Sequence, residues 1–204
     1  MRLIVGMTGA TGAPFGVRLL ERLAELPEVE THLVMSRWAR ATVEVETDRT
    51  VREVGELADV VHHPDDQGAT LSSGSFRTDG MVIVPCSMKT VAGIRAGYAD
   101  GLVGRAADVT LKERRPLVLV PRETPLSEIH LENMLALARM GVRIVPPMPA
   151  FYNRPATVAD IVEHITTRIL DQLGLAPDGA ARWAGLRAAR SAPSPRPSGT
   201  GPLP

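Results

Sequence analysis

The chain has 204 residues, 23 basic against 23 acidic side chains, 44% apolar residues, and only two Trp, two Tyr and three Phe. That length sustains one sizeable core, and a mean hydropathy near zero argues against intrinsic disorder. Zero net charge argues against a nucleic-acid protein, which carries a basic excess to neutralise backbone phosphates, and leaves room for a local basic patch only.

Short apolar runs alternate with helix-period segments, the pattern of a parallel sheet wrapped by crossover helices. Strands are expected at Leu3–Met7, Thr31–Met35, Gly80–Pro85, Leu117–Pro121 and Arg143–Val145. The first helix, about Pro14–Leu26, carries Val17, Leu20, Leu23 and Ala24 at three- and four-residue spacing, and a second covers about Ser36–Glu46. A long polar connection, Asp65–Asp79, precedes the third of these strands; its length suits either a functional loop or a surface insertion. Thr124-Pro125 reads as an N-cap followed by Pro at the first helical position, with Leu131, Met134, Leu135 and Ala138 on one stripe and Gly141 as the stop. The last helix starts at Thr157, whose hydroxyl can cap the turn holding Asp160, and offers Val158, Ile161, Val162, Ile165, Ile169 and Leu173 to a core. Residues 1–187 are expected to form one domain and residues 188–204, rich in Pro, Ser and Gly, a disordered tail.

Cys86 is the single cysteine, and Arg2-Leu3-Ile4-Val5 follows the initial Met without an apolar leader, so a reducing cytoplasm is expected. No stretch reaches the roughly 18 uninterrupted apolar residues that a bilayer span requires, so no integral membrane protein is expected.

Chemistry-bearing residues gather where strands end. Gly6-Met7-Thr8-Gly9-Ala10-Thr11-Gly12-Ala13 turns the first strand into a helix, where glycines permit close approach and the helix N-terminus favours an anion. The glycine spacing does not fit the dinucleotide fingerprint, and no Gly-Lys-Ser/Thr follows to make a P-loop; a flavin or nucleotide phosphate and a plain β-α turn both remain open. Val84-Pro85-Cys86-Ser87-Met88-Lys89-Thr90 brings hydroxyls and a lysine to a second strand end, with Cys86 reading better as a buried side chain than as a nucleophile. All basic residues but Lys89 and Lys112 are Arg, which reads either as a compositional bias towards Arg or as marking each retained Lys as a place where a compact ammonium suits. Arg105 and Lys112, two helical turns apart, share one helix face. Arg122 and Glu123 end an apolar strand as a structural ion pair or as a phosphate clamp beside an acid/base. Tyr152 and Arg168 are candidates for a second anion, with an Arg168–Asp171 surface pair as the alternative.

Taken together, the Thr8–Ala13 run, Glu46-Thr47-Asp48, Pro85–Thr90, Arg105–Asp108, Leu111–Leu117, Pro121–Pro125 and Pro149–Tyr152 resemble the UbiX-type flavin prenyltransferases over about residues 1–187. The resemblance implies a three-layer Rossmann-like or flavodoxin-like α/β subunit, a parallel sheet with helices on both faces, built into a large homo-oligomer, usually a dodecamer, with active sites between subunits. It implies metal-independent transfer of a dimethylallyl group from dimethylallyl monophosphate to N5 and C6 of reduced FMN, giving a prenylated cofactor for UbiD-type decarboxylases.

Carried over by position, Gly9, Ala10, Thr11, Ser36, Ser87, Met88, Lys89, Thr90 and Arg122 would hold FMN. Tyr152, Arg168 and Lys112 would hold the prenyl phosphate with help from Glu46 and Arg105, Glu123 would be the acid/base, and Trp183 would cover the site. Such a cluster suits a monophosphate leaving group without a metal, and a water-poor π-rich pocket suits an allylic cation. Thr11 stands where many members have Ser, and Trp38 where a small residue is usual. Two other readings are a cysteine-decarboxylating flavoprotein of similar fold and a non-catalytic flavin-binding subunit of a hydroxyaryl-acid decarboxylase. The first wants a catalytic His and an Asn-containing substrate motif that this sequence lacks at the corresponding places, and the second has no use for Lys112, Glu123, Tyr152 and Arg168 together.

Overall fold

The computed structural model describes residues 1–175 and 182–186. In chain order the elements are β1 (Arg2–Met7), α1 (Ala13–Ala24), β2 (Glu30–Met35), α2 (Arg37–Glu46), α3 (Val51–Gly55), β3 (Val60–His62), a 3-10 turn (Thr70–Ser72), β4 (Gly80–Cys86), α4 (Met88–Ala96), α5 (Leu102–Lys112), β5 (Leu117–Pro121), α6 (Glu128–Arg139), β6 (Arg143–Ile144) and α7 (Val158–Leu173). The six strands form one sheet in the order β3-β2-β1-β4-β5-β6, every neighbouring pair parallel. The expected three-layer α/β architecture is what forms.

Strand alternation explains the layers. Leu3, Val5 and Met7 of β1, Val82 and Val84 of β4, and Val118 and Val120 of β5 face one side, where Val17, Leu20 and Leu23 of α1 and Ile165, Ile169 and Leu173 of α7 cover them. Ile4, Met81, Ile83, Leu117 and Leu119 face the other side, against Val91 and Ile94 of α4, Leu102 and Ala106 of α5, and Leu137 of α6. Truncating one of the fully buried leucines, Leu119→Ala for example, costs about 2–5 kcal/mol by lost transfer energy and the cavity left behind.

The cap expected at Thr157 forms, and others appear at helix starts where none was expected. Ser36 accepts from the Ala39 N–H, and Thr157 and Asp160 cap α7 reciprocally. At α6 the expectation needs correcting. Thr124-Pro125 lies before the helix, across a cis peptide bond, and Ser127 is the N-cap, exchanging hydrogen bonds with His130. The stripe on α6 also differs: Leu131 and Leu135 are each 52% exposed, whereas Leu137 is buried and Met134 packs beside it. The helix rests on the sheet through a row about one residue round from the expected one, because apolar side chains occupy more than half its circumference and spacing alone does not choose among them.

Similarly, Val158 at the start of α7 is 75% exposed, and the stripe becomes core only from Ile165 onward. The short α3 and β3 were not expected. A five-residue helix stabilised by the Thr50/Glu53 capping box and a three-residue, partly exposed edge strand leave almost no periodic signal. The Asp65–Asp79 connection is held down by buried Leu71 and Thr78. The expected tail at 188–204 lies outside the described residues.

Candidate active site

The centre of the sheet sets the site. From β1 the chain runs to α1 on one face, and from the adjacent β4 it runs to α4 on the other, so a crevice opens between their carboxyl ends. The Gly9–Thr11 loop leaves β1 here, Ser36 caps α2 after β2, Ser87–Thr90 follow β4 into α4, and Arg122 follows β5. Thus all nine residues expected to hold FMN lie along one edge of four adjacent strands.

Backbone geometry makes this edge a donor surface. Gly9 is pressed against α2: a Cβ there would meet the Trp38 Cβ at 2.2 Å, so only glycine fits. Gly12 has φ +117°, the left-handed region that favours glycine, as the cap of α1. Met7 O accepts from the Ser36 N–H at 3.0 Å, tying the loop to β2. Among the described residues the Gly9 and Thr11 N–H groups meet no acceptor, and the first-turn N–H groups of α2 and α4 add further donors beside them. Ser87 Oγ accepts from the Thr90 N–H and lies 3.0 Å from the Thr90 hydroxyl, which orients both toward that turn.

The N-terminus of α1 itself already carries an anion. Glu46, at the end of α2, accepts the Gly12 and Ala13 N–H groups on one carboxylate oxygen, each at 2.8 Å. The Gly12 and Ala13 donors at that N-terminus are therefore already taken. Glu46 also lies at the head of a groove of about 700 Å³ between α1 and α7, lined by Arg18, Glu21, Arg49, Val158 and Glu163.

Cys86 sits fully buried at the end of β4, and burial pushes its thiol pKa up, so it packs rather than reacts. Lys89 points outward to Asp100, 3.2 Å away. Trp38 is 66% exposed beside the Gly9 loop, with the Arg37 guanidinium 5.5 Å from its ring.

Glu123 and Arg122 are exposed at the carboxyl edge, Glu123 accepting its neighbour's Thr124 N–H at 3.1 Å rather than pairing with Arg122. Tyr152 packs edge-on to Trp183 at 5.3 Å and to His164 at 5.7 Å between ring centroids. His164 stands one turn before Arg168 on α7, so Tyr152, His164, Trp183 and Arg168 share one flank of that helix. Arg168 pairs with Asp171, as the alternative reading had it, and Arg182 holds the same carboxylate at 2.8 Å. The Arg182 hydrogen bond first, and the Arg168 charge with it, keep the Asp171 carboxyl below the ordinary range.

Two expected residues lie elsewhere. Lys112 ends α5 just before β5 begins, at the amino edge of the sheet, whereas Glu123 follows the far end of β5. A five-residue strand of about 3.3 Å per residue separates them. Lys112 pairs with Glu113, and Arg105 donates to the Ser72 carbonyl at 3.1–3.2 Å and to Asp108 at 2.7 Å. Both side chains border the 72–74 turn, as sharing a face of α5 requires, and among the described residues neither pairs with Glu123.

Sequence reasoning missed Thr8 and His164. Thr8 stood inside a run read for its glycines, and His164 had only its four-residue spacing from Arg168 to mark it. Among the described residues no group of three His, Cys, Asp or Glu side chains is arranged to hold a metal ion.

Comparison with known proteins supplies the lineage. The flavoprotein family profile matches residues 1–170. A probable UbiX-like flavin prenyltransferase from Streptomyces sp. (strain D7) is 77% identical over 192 residues, covering 94% of this chain and 96% of that protein. A solved dodecameric FMN-dependent UbiX-like decarboxylase from Escherichia coli O157:H7 superposes with a TM-score of 0.90 at 71% identity, covering 91% of this chain and all of that one. AnUbiX (PadA1), solved in complex with FMN and dimethylallyl pyrophosphate, gives a TM-score of 0.88 at 54% identity, covering 90% of this chain and 97% of that one.

Proposed function

The chain belongs to the flavoprotein family and, within it, to the UbiX-like flavin prenyltransferases, and we propose on that premise how its residues divide the work. The reaction is transfer of a dimethylallyl group from dimethylallyl monophosphate to N5 and C6 of reduced FMN. The observation that carries this assignment is the convergence of Gly9–Thr11, Ser36, Ser87–Thr90 and Arg122 on one sheet edge, rich in unpaired N–H groups and hydroxyls. Those donors fit the polar ring edge and phosphate of a flavin nucleotide. Bound there, reduced FMN supplies the nucleophilic ring atoms and a π surface.

The protein's own part is positional and electrostatic. Tyr152 and Arg168 hold the prenyl phosphate, and Arg168 exchanges its Asp171 partner for that anion while Arg182 keeps Asp171 satisfied. Glu123 places a proton on the departing phosphate oxygen as the allylic C–O bond breaks, takes up the proton that N5 sheds on alkylation, returns it to the prenyl alkene carbon so that its tertiary neighbour can bond C6, and takes the proton that C6 then loses. Trp183 and Tyr152 keep water from the allylic carbon. Glu46 holds the glycine loop to α1. Lys112 and Arg105 reach the phosphate from another copy of the chain, since among the described residues of one chain neither pairs with Glu123. A dodecamer with sites between subunits supplies that arrangement, and the solved Escherichia coli O157:H7 relative is dodecameric.

We assign the enzyme to the cytoplasm; among the described residues no helix is long and apolar enough to cross a membrane. Its product serves a UbiD-type decarboxylase, and transfer needs no metal. Anaerobic incubation of purified protein with reduced FMN and dimethylallyl monophosphate, in EDTA, should give a flavin heavier by one prenyl group in mass spectrometry. A parallel arm with the pyrophosphate, the compound bound in the solved AnUbiX complex, reads the leaving-group preference. Unchanged FMN in both arms overturns the assignment.

A further inference from the structure

We propose that Thr8 is the positioning residue that sets the width of the flavin crevice, an inference that rests on reading the carboxyl edge as the flavin site. The β1–β4 ladder runs from Leu3 opposite Gly80 to Gly6 opposite Ile83 and stops there. Beyond it the two strands send their chains to opposite faces, and on the far side of β4 the β4–β5 register shifts between Ile83 and Cys86. Regular β1–β4 pairing therefore ends before the crevice begins.

Thr8 carries the connection onward by itself. Its N–H and its hydroxyl both donate to the Pro85 carbonyl, at 3.1 and 3.0 Å, and its hydroxyl oxygen accepts the Ser87 N–H at 2.8 Å. Its carbonyl accepts the Ala10 N–H at 2.9 Å, so the same residue shapes the turn that exposes Gly9 and Thr11. One side chain thus ties the glycine loop to the N-cap of α4, whose Ser87 in turn fixes the Thr90 hydroxyl.

Thr8 is only 4% exposed, with both hydroxyl roles filled inside the protein. It is placed to act on the flavin through Ser87 and the Gly9–Thr11 loop rather than by contact. Replacement by Val keeps the shape and deletes the oxygen, leaving the Ser87 N–H without its acceptor and the loops free to part. Replacement by Ser keeps the oxygen and deletes only a methyl.

The test compares wild type, Thr8→Val and Thr8→Ser for binding of oxidised FMN, followed by quenching of flavin fluorescence well below each melting temperature. Thr8→Val should bind FMN about tenfold more weakly, with KM for reduced FMN raised in step and KM for dimethylallyl monophosphate unchanged. Thr8→Ser should bind FMN within about twofold of wild type. A lower melting temperature in Thr8→Val with unaltered FMN affinity makes the residue merely structural and overturns the proposal. If Thr8→Val does not fold, Thr8→Ser still decides: a tenfold loss there means methyl packing, not the hydroxyl, holds the crevice. Failure of the wild type to bind FMN removes the flavin reading itself, a result distinct from either.

Discussion

The Glu46 carboxylate is the N-terminal cap of the helix that Gly12 begins, although the two residues stand more than thirty positions apart: one oxygen takes the Gly12 and Ala13 N–H groups at 2.8 Å each. A negative charge at a helix N-terminus that also satisfies two orphan donors stabilises the fold and fixes the loop beside the flavin edge. Glu46→Ala should lower the unfolding free energy by about 1 kcal/mol. Added phosphate should restore more of that loss in the variant than it adds to wild type, because an anion can occupy the vacated N–H groups. Urea midpoints in chloride and in phosphate buffer check this; equal phosphate effects on both proteins count against it.

Glu123 and Arg168 separate binding from chemistry. Glu123 is exposed and, among the described residues, bonded only to a neighbouring backbone N–H, so Glu123→Gln should leave FMN affinity unchanged while turnover falls about a hundredfold or more. Arg168→Ala should raise KM for dimethylallyl monophosphate and spare FMN, since Arg182 still satisfies Asp171 and α7 keeps its buried face. Parallel loss of FMN and prenyl phosphate binding in Arg168→Ala points instead to a damaged helix.

Acid sensitivity is built into the edge of the sheet. His32, buried on β2, lies between Glu30 and His62 of β3, 2.9 Å from each. With the His32 Nε2–H donating to Glu30, its Nδ1 accepts from the His62 Nε2–H. Burial first, then the neighbouring His32, hold the His62 pKa below the ordinary value, while Asp66 opposes them. The folded state thus takes up this proton less readily than the unfolded chain, so stability falls as pH drops below about 6.5. Urea midpoints of wild type should decline between pH 7.5 and 5.5 more steeply than those of His62→Gln. Parallel slopes refute the assignment to His62.

Glu163 clamps α7 to α1, accepting from Arg18 at 2.6 Å and from Arg22 at 2.5 Å. Burial pushes its carboxyl pKa up, and the two arginines together more than offset that, leaving it below the ordinary range. These groups keep about a third of their exposure, so solvent screens the pairs. Glu163→Ala should cost about 1 kcal/mol in unfolding free energy, read by chemical denaturation, and less at high salt.

The architecture was legible because it rests on local periodicity. Five apolar runs set against helix-period segments placed five of the six strands, and the resemblance assigned flavin contacts to residues that follow four of the strands. Periodicity was silent on β3 and α3, which are too short to repeat, and ambiguous on α6, where Leu131 and Leu135 matched the stripe yet face outward. Ser127 outcompeted Thr124 as a cap because it meets His130 reciprocally, a choice that depends on where the chain leaves β5.

By itself the sequence determined the order of the longer elements, the glycine loop, the cap at Thr157, and the types of residue available for phosphate and proton chemistry. Only the tertiary structure decided which of them meet. It put Glu46 on the Gly12 amide, Thr8 between two loops, and Tyr152 against Trp183 and His164, while setting Lys112 and Glu123, eleven residues apart in sequence, at opposite edges of the sheet. The physical reason is that propensity and capping act over a few residues. Encounters between loops are fixed by strand order and by the faces to which successive helices cross, which no local pattern encodes.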